Sequence, residues 1–253
     1  MIEESFVNGD SVIHCLDPRV KIIVAGVFSI IVAVSDRFGA LISAIIFAMS
    51  IVLLARLPIK KVCTRLLIVN GFILLLWFFF PFTIKGKQLF TLGPLIATKE
   101  GIIYAILVTI KSNAIIVTIM ALVATIPIFT MGSAMRHLYI PAKFVHLFFF
   151  TYRYIHVINM EYQRLMNAIK IRGFNPGTNM HTYKTYAYLV GMLFVKSYDR
   201  ARRVRAAMLC RGFSGRFYDL SEFSFKTSDG VIMVLMLLAI TGIGLLQWTR
   251  IIY

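Results

Sequence analysis

Five stretches of this chain, at about 20–34, 38–54, 66–82, 101–129 and 231–248, are almost wholly apolar. Each is near the length of roughly 17–25 residues that a helix needs to cross the hydrocarbon of a bilayer. Hydrophobic residues make up 59% of the sequence, against about 45–50% in soluble domains, and the mean hydropathy is +0.81. The expectation is an all-α integral membrane protein with about five transmembrane helices.

A net charge of +16 in a soluble chain would point to nucleic acid. In a membrane chain it is read by location, because Lys and Arg collect in cytoplasmic loops. Of the 27 basic residues, 15 lie between Arg136 and Lys226, offset only by Glu161, Asp199, Asp219 and Glu222. That segment is expected to be cytoplasmic. No groove-reading motif accompanies its aromatic residues, so nucleic acid is not an expected partner. The short loop Arg56-Leu-Pro-Ile-Lys60-Lys61-Val-Cys-Thr-Arg65 is also strongly basic, which puts the N-terminus inside and the C-terminus outside. The connection carrying Lys85, Lys87 and Lys99 then falls outside, outvoted by the later segment. Met1-Ile-Glu-Glu offers no basic region ahead of an apolar core, so the first span is expected to act as its own targeting signal. The chain divides into three regions: 1–130, a membrane domain of four spans; 131–229, a cytoplasmic domain of amphipathic coupling helices; and 230–253, a last transmembrane helix.

Within the fourth span, Lys111 should face protein, water or a polar partner such as Asn113, with snorkelling or packing favoured over direct function. Pro127 should end this span, and Pro141 should interrupt the chain again, leaving a short segment at 128–139 near the membrane surface. From 142 to about 171 apolar residues recur at spacings of three and four, among them Phe144, Leu147, Phe148, Ile155, Ile158 and Tyr162. This predicts an amphipathic helix, not a clean sixth crossing, because His146, Arg153 and His156 interrupt it. Asn175-Pro176-Gly177-Thr178-Asn179 reads as a turn. Helical patterning resumes over 181–210, with a break near Gly191, and 213–229 is a linker to the last span.

No carboxylate lies in the middle of a span, where an ion-coupled carrier would be expected to place one. His14, His137, His146, His156 and His181 are dispersed, and Cys15, Cys63 and Cys210 form no CxxC pair, so no metal site or disulfide framework is indicated. Neither a phosphate loop nor a G-x-S-x-G elbow is present; Gly86-Lys87 lacks the upstream glycine. Catalysis by this chain is therefore not expected. What stands out is a recurrence: Ala168-Ile-Lys-Ile-Arg172-Gly173-Phe174 returns as Ala207-Met-Leu-Cys-Arg211-Gly212-Phe213. In each copy the glycine suits the left-handed position just past a helix end, and the arginine sits in the last turn, facing the negative end of the helix dipole. Two arginine-tipped helices suit docking into clefts on a partner.

These residues resemble the transmembrane T component of energy-coupling factor (ECF) transporters, most closely the CbiQ type of cobalt and nickel uptake systems. The resemblance rests on Leu16-Asp17-Pro18-Arg19-Val20-Lys21, Thr125-Ile-Pro127, Tyr139-Ile-Pro141, Tyr152-Arg153-Tyr154-Ile155, the run from Ser197 to Phe213, and the two Arg-Gly segments. In that family the tips usually read Ala-Arg-Gly. Here they read Ile171-Arg172-Gly173 and Cys210-Arg211-Gly212, matching at Arg and Gly and departing at the first position. The resemblance implies that these ends couple to two cytoplasmic ABC-type ATPase subunits, Arg172 and Arg211 pairing with acidic residues there. ATP and Mg would be used by those ATPases, and this chain would hold no cofactor and no metal. It also implies a separate membrane substrate-binding component, CbiM-like, with or without a small CbiN-like subunit, in a prokaryotic plasma membrane. Motion of the ATPases would be transmitted to that component, for cobalt first and nickel next, and Pro127 and Pro141 are the candidate hinges. The rival reading is a self-sufficient cation channel or permease with a basic cytoplasmic gate. A lipid-directed transferase ranks last for want of acidic metal-binding clusters.

Overall fold

The computed structural model describes residues 6, 9, 11–84, 87–92, 95–214 and 227–248. Met1-Ile-Glu-Glu, Lys85, Gly86 and most of the expected linker at 213–229 lie outside the described residues. The order of elements is α1 (Val12–Cys15), α2 (Pro18–Val34), α3 (Phe38–Ala55), α4 (Ile59–Thr83), β1 (Gln88–Leu92), β2 (Leu95–Thr98), α5 (Lys99–Leu122), α6 (Ile128–His137), α7 (Ala142–Ile171), α8 (Met180–Cys210) and α9 (Thr227–Trp248). Residues 2–134 and 223–253 make one compact unit, and residues 135–222 make another.

The first unit is a helical membrane body. By length and composition α3, α4, α5 and α9 can each cross a bilayer. With 17 residues, α2 sits at the lower bound of crossing lengths and packs in the same bundle. Helices are the form such runs must take, since backbone groups in hydrocarbon find no water and must bond within their own segment. Asp17-Pro18 starts α2 by ordinary capping: the Asp17 side chain accepts from the Arg19 N–H at 2.9 Å, and Pro18 occupies the first turn, where its missing N–H costs nothing. On α3, Ala40, Ala44 and Ala48 are buried one turn apart, a stripe of small side chains that lets neighbouring helices approach closely. Val24, Phe28 and Val32 of α2, Ala121 of α5 and Ile240 of α9 complete the interior. By contrast α4 buries only Val62 and Ile73. Its exposed Leu67, Phe72, Leu74 and Phe78 would be untenable in water and are at home in lipid.

The connection between α4 and α5, which reads from sequence as a plain loop, contains an antiparallel pair. In it β1 lies against β2 with Phe90 opposite Ala97 and Leu92 opposite Leu95. Thr98 closes this corner. Its hydroxyl donates to Ile84 O at 2.7 Å and accepts from the Gly101 N–H at 3.3 Å. A Cβ on Gly101 would stand 2.6 Å from Phe80 O and 2.8 Å from Pro81 Cα, so the start of α5 rests on backbone that only glycine clears.

Two local expectations are corrected, and one, that Lys111 faces protein or a polar partner, is made specific. The fourth span ends at Leu122, before Pro127: Thr125 Oγ1 donates to the carbonyls of Ala121 and Leu122 at 3.0 Å, closing the helix end ahead of the proline. Lys111 pairs not with Asn113 but with Asp36, its Nζ lying 2.7 Å from Oδ1 and 3.1 Å from Ala33 O, while Asn113 donates to Asn70 Oδ1 at 3.0 Å. The lysine thus stays within the bundle by reaching the loop after α2. Finally, α8 runs unbroken through Gly191, whose lack of a side chain costs about 1 kcal/mol in a helix interior but does not force a break in a 31-residue helix.

Candidate functional site: two arginine-tipped helix ends

In the unit 135–222, α7 and α8 pack on each other and each ends in the recurrent phrase. The two ends share one bonding pattern. At the end of α7, Gly173 N–H donates to Lys170 O at 3.0 Å and Phe174 N–H to Ile169 O at 3.2 Å. At the end of α8, Gly212 N–H donates to Leu209 O at 3.0 Å and Phe213 N–H to Met208 O at 3.0 Å. Each is a Schellman closure, which requires a left-handed residue just past the helix. Gly173 and Gly212 supply it at φ +81° and +78°. Nothing lies within 4 Å of where their Cβ atoms would be, so backbone conformation and not crowding is what calls for glycine.

Arg172 and Arg211 occupy the cap positions themselves, one residue beyond the last helical turn in which the sequence pattern places them. Both are exposed, as are Ile171 and Cys210 beside them, Ile171 at 87%. Among the described residues neither guanidinium has an ion-pair or side-chain hydrogen-bond partner. Each end therefore presents a cation, a neighbouring side chain and a fixed backbone turn outward.

The pairing of the two helices sets how far apart the ends lie. Lys196 of α8 donates to the Glu161 carboxylate of α7, and Arg164 Nη1 stands 3.8 Å from the same group. Phe150, Tyr154 and Ile158 of α7 face Met208, Val204 and Ala201 of α8 across a shared groove, so the helices run antiparallel where they touch. The Arg211 end thus lies beside the first third of α7, while Arg172 is 22 residues beyond Phe150. At 1.5 Å per residue that length of α7 is on the order of 30 Å. The Lys196 hydrogen bond, with help from the charges of Lys196, Arg164 and Arg200, holds the Glu161 carboxyl below its ordinary range.

A third end of the same type escapes sequence reasoning. After α6, Tyr139 N–H donates to Arg136 O at 3.2 Å and Ile140 N–H to Met135 O at 3.3 Å, with Tyr139 itself left-handed at φ 60° and 97% exposed. The signal is present in Tyr139-Ile-Pro141, where the proline forbids helix continuation, but a tyrosine does not advertise a left-handed position as glycine does. The two prolines both precede helices: Pro127 lies just ahead of α6, its carbonyl accepting from Met131 N–H at 2.9 Å, and Pro141 caps α7. Among the described residues no group of three or more His, Cys, Asp or Glu side chains is placed to hold a metal.

The fold and these ends define a multi-pass α-helical membrane protein carrying a cationic pair of helices with matched, arginine-capped ends. The chain belongs to the CbiQ family, described as cobalt transport protein, with residues 9–219 matched, a span that includes both arginine tips. It is similar to energy-coupling factor transporter transmembrane proteins of Leuconostoc gelidum subsp. gasicomitatum, 31% identical over 223 residues and 82% of each chain, and of Thermosediminibacter oceani, 26% identical over 220 residues and 83% of each chain. A third such relative, from Streptococcus equi subsp. equi, is 26% identical over 247 residues and 92% of each chain. The resemblance carried by the residues is borne out at the level of the family.

Proposed function

We propose that this chain is the coupling subunit of an ATP-driven importer of the energy-coupling factor type. Two cytoplasmic ABC-type ATPase subunits receive its helix ends, one taking Ile171-Arg172-Gly173 and the other Cys210-Arg211-Gly212. The chain itself is not catalytic; ATP and Mg belong to the ATPases. Closing of the ATPase pair moves α7 and α8, pivoting at Pro127 and Pro141, and so reorients a separate membrane component that holds the substrate. That component is CbiM-like, with or without a small CbiN-like subunit, and the substrate is cobalt first and nickel next, as the family's description favours. The chain sits in a prokaryotic plasma membrane with its N-terminus and the basic unit in the cytoplasm, in keeping with the positive charge of the loop at 56–65.

One observation carries this reading: two ends of identical backbone bonding, each exposing an arginine without a partner among the described residues, close two different helices of one packed pair. A single binding cleft would need one such end; two on different helices suit two separate receivers. If the arginines are buried against acidic residues on binding, Arg172→Ala and Arg211→Ala each weaken ATPase binding by about 2 kcal/mol or more. Titration of the detergent-solubilised chain with each ATPase measures this, and a loss below about 0.5 kcal/mol returns both residues to solvated caps.

A further inference from the structure

At the start of α4, Lys60, Lys61, Thr64 and Arg65 share one helical face and, with Phe6, line an open pocket of about 320 Å³. Phe6 is buried, and the Arg65 guanidinium lies over its ring, 4.9 Å from the centroid. That contact holds the cation in place and leaves its N–H donors for another partner. Thr64 serves as a wall, its hydroxyl donating back to Lys60 O at 2.8 Å. Neither the Lys60 nor the Arg65 side chain forms an ion pair or hydrogen bond among the described residues. No carboxylate occurs in the sequence between Asp36 and Glu100. The pocket thus calls for an anion that offers several acceptor oxygens.

We propose that it binds the phosphate of an anionic phospholipid. Depth selects a lipid over a soluble acidic segment. From Leu66 to Thr83, α4 carries no charge. At 1.5 Å per residue that run spans about 27 Å, close to the roughly 30 Å of bilayer hydrocarbon. Lys60, Lys61 and Arg65 therefore stand within about 10 Å of its edge, in the headgroup layer, where lipid phosphates are at hand and a soluble segment would first have to displace them. The face that bears the pocket continues through Ile68 and Phe72, both exposed, so an acyl chain has an apolar track leading away from its phosphate. Charge selects an anionic headgroup. Choline or ethanolamine brings a cation of its own, which Lys60 and Arg65 repel, whereas phosphatidylglycerol brings none. The proposal needs the membrane body alone and does not rest on the coupling role.

The test is photo-crosslinking of the full chain in liposomes containing phosphatidylglycerol or phosphatidylcholine, each with a photoreactive group at the glycerol end of one acyl chain, followed by mapping of the labelled peptides. Val231 and Val234, exposed near the start of α9, report bulk lipid and serve as the internal reference. Labelling at Phe6, Thr64 and Ile68 relative to that reference should favour phosphatidylglycerol. Lys60→Gln with Arg65→Gln should lower it about tenfold or more, and Lys60→Arg with Arg65→Lys should keep most of it. Thr64→Trp, which fills the pocket without changing charge, should abolish the preference. Arg56→Gln, which removes an exposed cation of the same loop that does not line the pocket, should leave most of it. Equal labelling by the two lipids, or no response to either the double Gln variant or Thr64→Trp, overturns the proposal. So does a loss from Arg56→Gln as large as that from the pocket pair, because a diffuse surface potential then accounts for the enrichment. Displacement of the lipid by millimolar inorganic phosphate at constant ionic strength would make this a site for free phosphate instead. Labelling that vanishes once ATPase and membrane partners are bound would equally overturn it, since a protein segment then fills the pocket.

Discussion

Gly173, Gly212 and Tyr139 hold the same left-handed cap position, yet substitution should move their helix ends in opposite directions. A Cβ in left-handed backbone costs about 1 kcal/mol or more, so Gly173→Ala and Gly212→Ala should each loosen the closing bonds and swing the neighbouring arginine out of place. Tyr139 already bears that cost, and Tyr139→Gly should tighten the end of α6 by a similar amount. Amide exchange at Phe174, Phe213 and Ile140, the three residues whose N–H groups close these ends, reads all three effects. Glu161 gives a second test of a single side chain. Its carboxyl is held below its ordinary value chiefly by the Lys196 hydrogen bond, so its contribution is fully present above that ordinary value and is lost as pH falls through the lowered one. Protection of the α7–α8 contact should therefore fall as the pH drops below the ordinary carboxylate range. Glu161→Gln should remove that dependence.

Among the elements, the tie between α5 and the loop after α2 makes an asymmetric prediction. The Lys111 side chain is 15% exposed, whereas that of Asp36 is 71% exposed. Removing the carboxylate strands a largely buried cation, while removing the lysine leaves a solvated acid. Asp36→Asn should thus lower the melting temperature of the detergent-solubilised protein more than Lys111→Met does, and the double substitution should recover most of the loss. Equal single losses would mean that the pair contributes nothing beyond its hydrogen bonds. These elements also mark what can be read from sequence. Apolar runs give spans because hydrocarbon dictates both length and helical form, and Asp17-Pro18 and the two Arg-Gly phrases give ends because capping chemistry is local. Lys111–Asp36 cannot be read, since its partners are 75 residues apart and Asn113 offers a nearer polar group. Nor can the early end of α5, which Thr125 achieves with a side-chain bond that propensity does not register. The matched ends are legible as a repeat; their separation is not, because it depends on which faces of α7 and α8 meet.

The molecule as a whole joins, in one chain, a mostly apolar membrane body with small residues packed between α3 and its neighbours to a cationic pair of helices with two presented arginines. The proposed coupling role turns on whether those arginines engage ATPases. Co-purification of the full chain with its ATPase subunits answers this, with the native protein set beside an Arg172→Glu, Arg211→Glu variant verified to be membrane-inserted. Coupling predicts that the native chain retains the ATPases and the variant loses them. Retention by both forms, or no retention by the native chain while it moves cations unaided in vesicles, would contradict it.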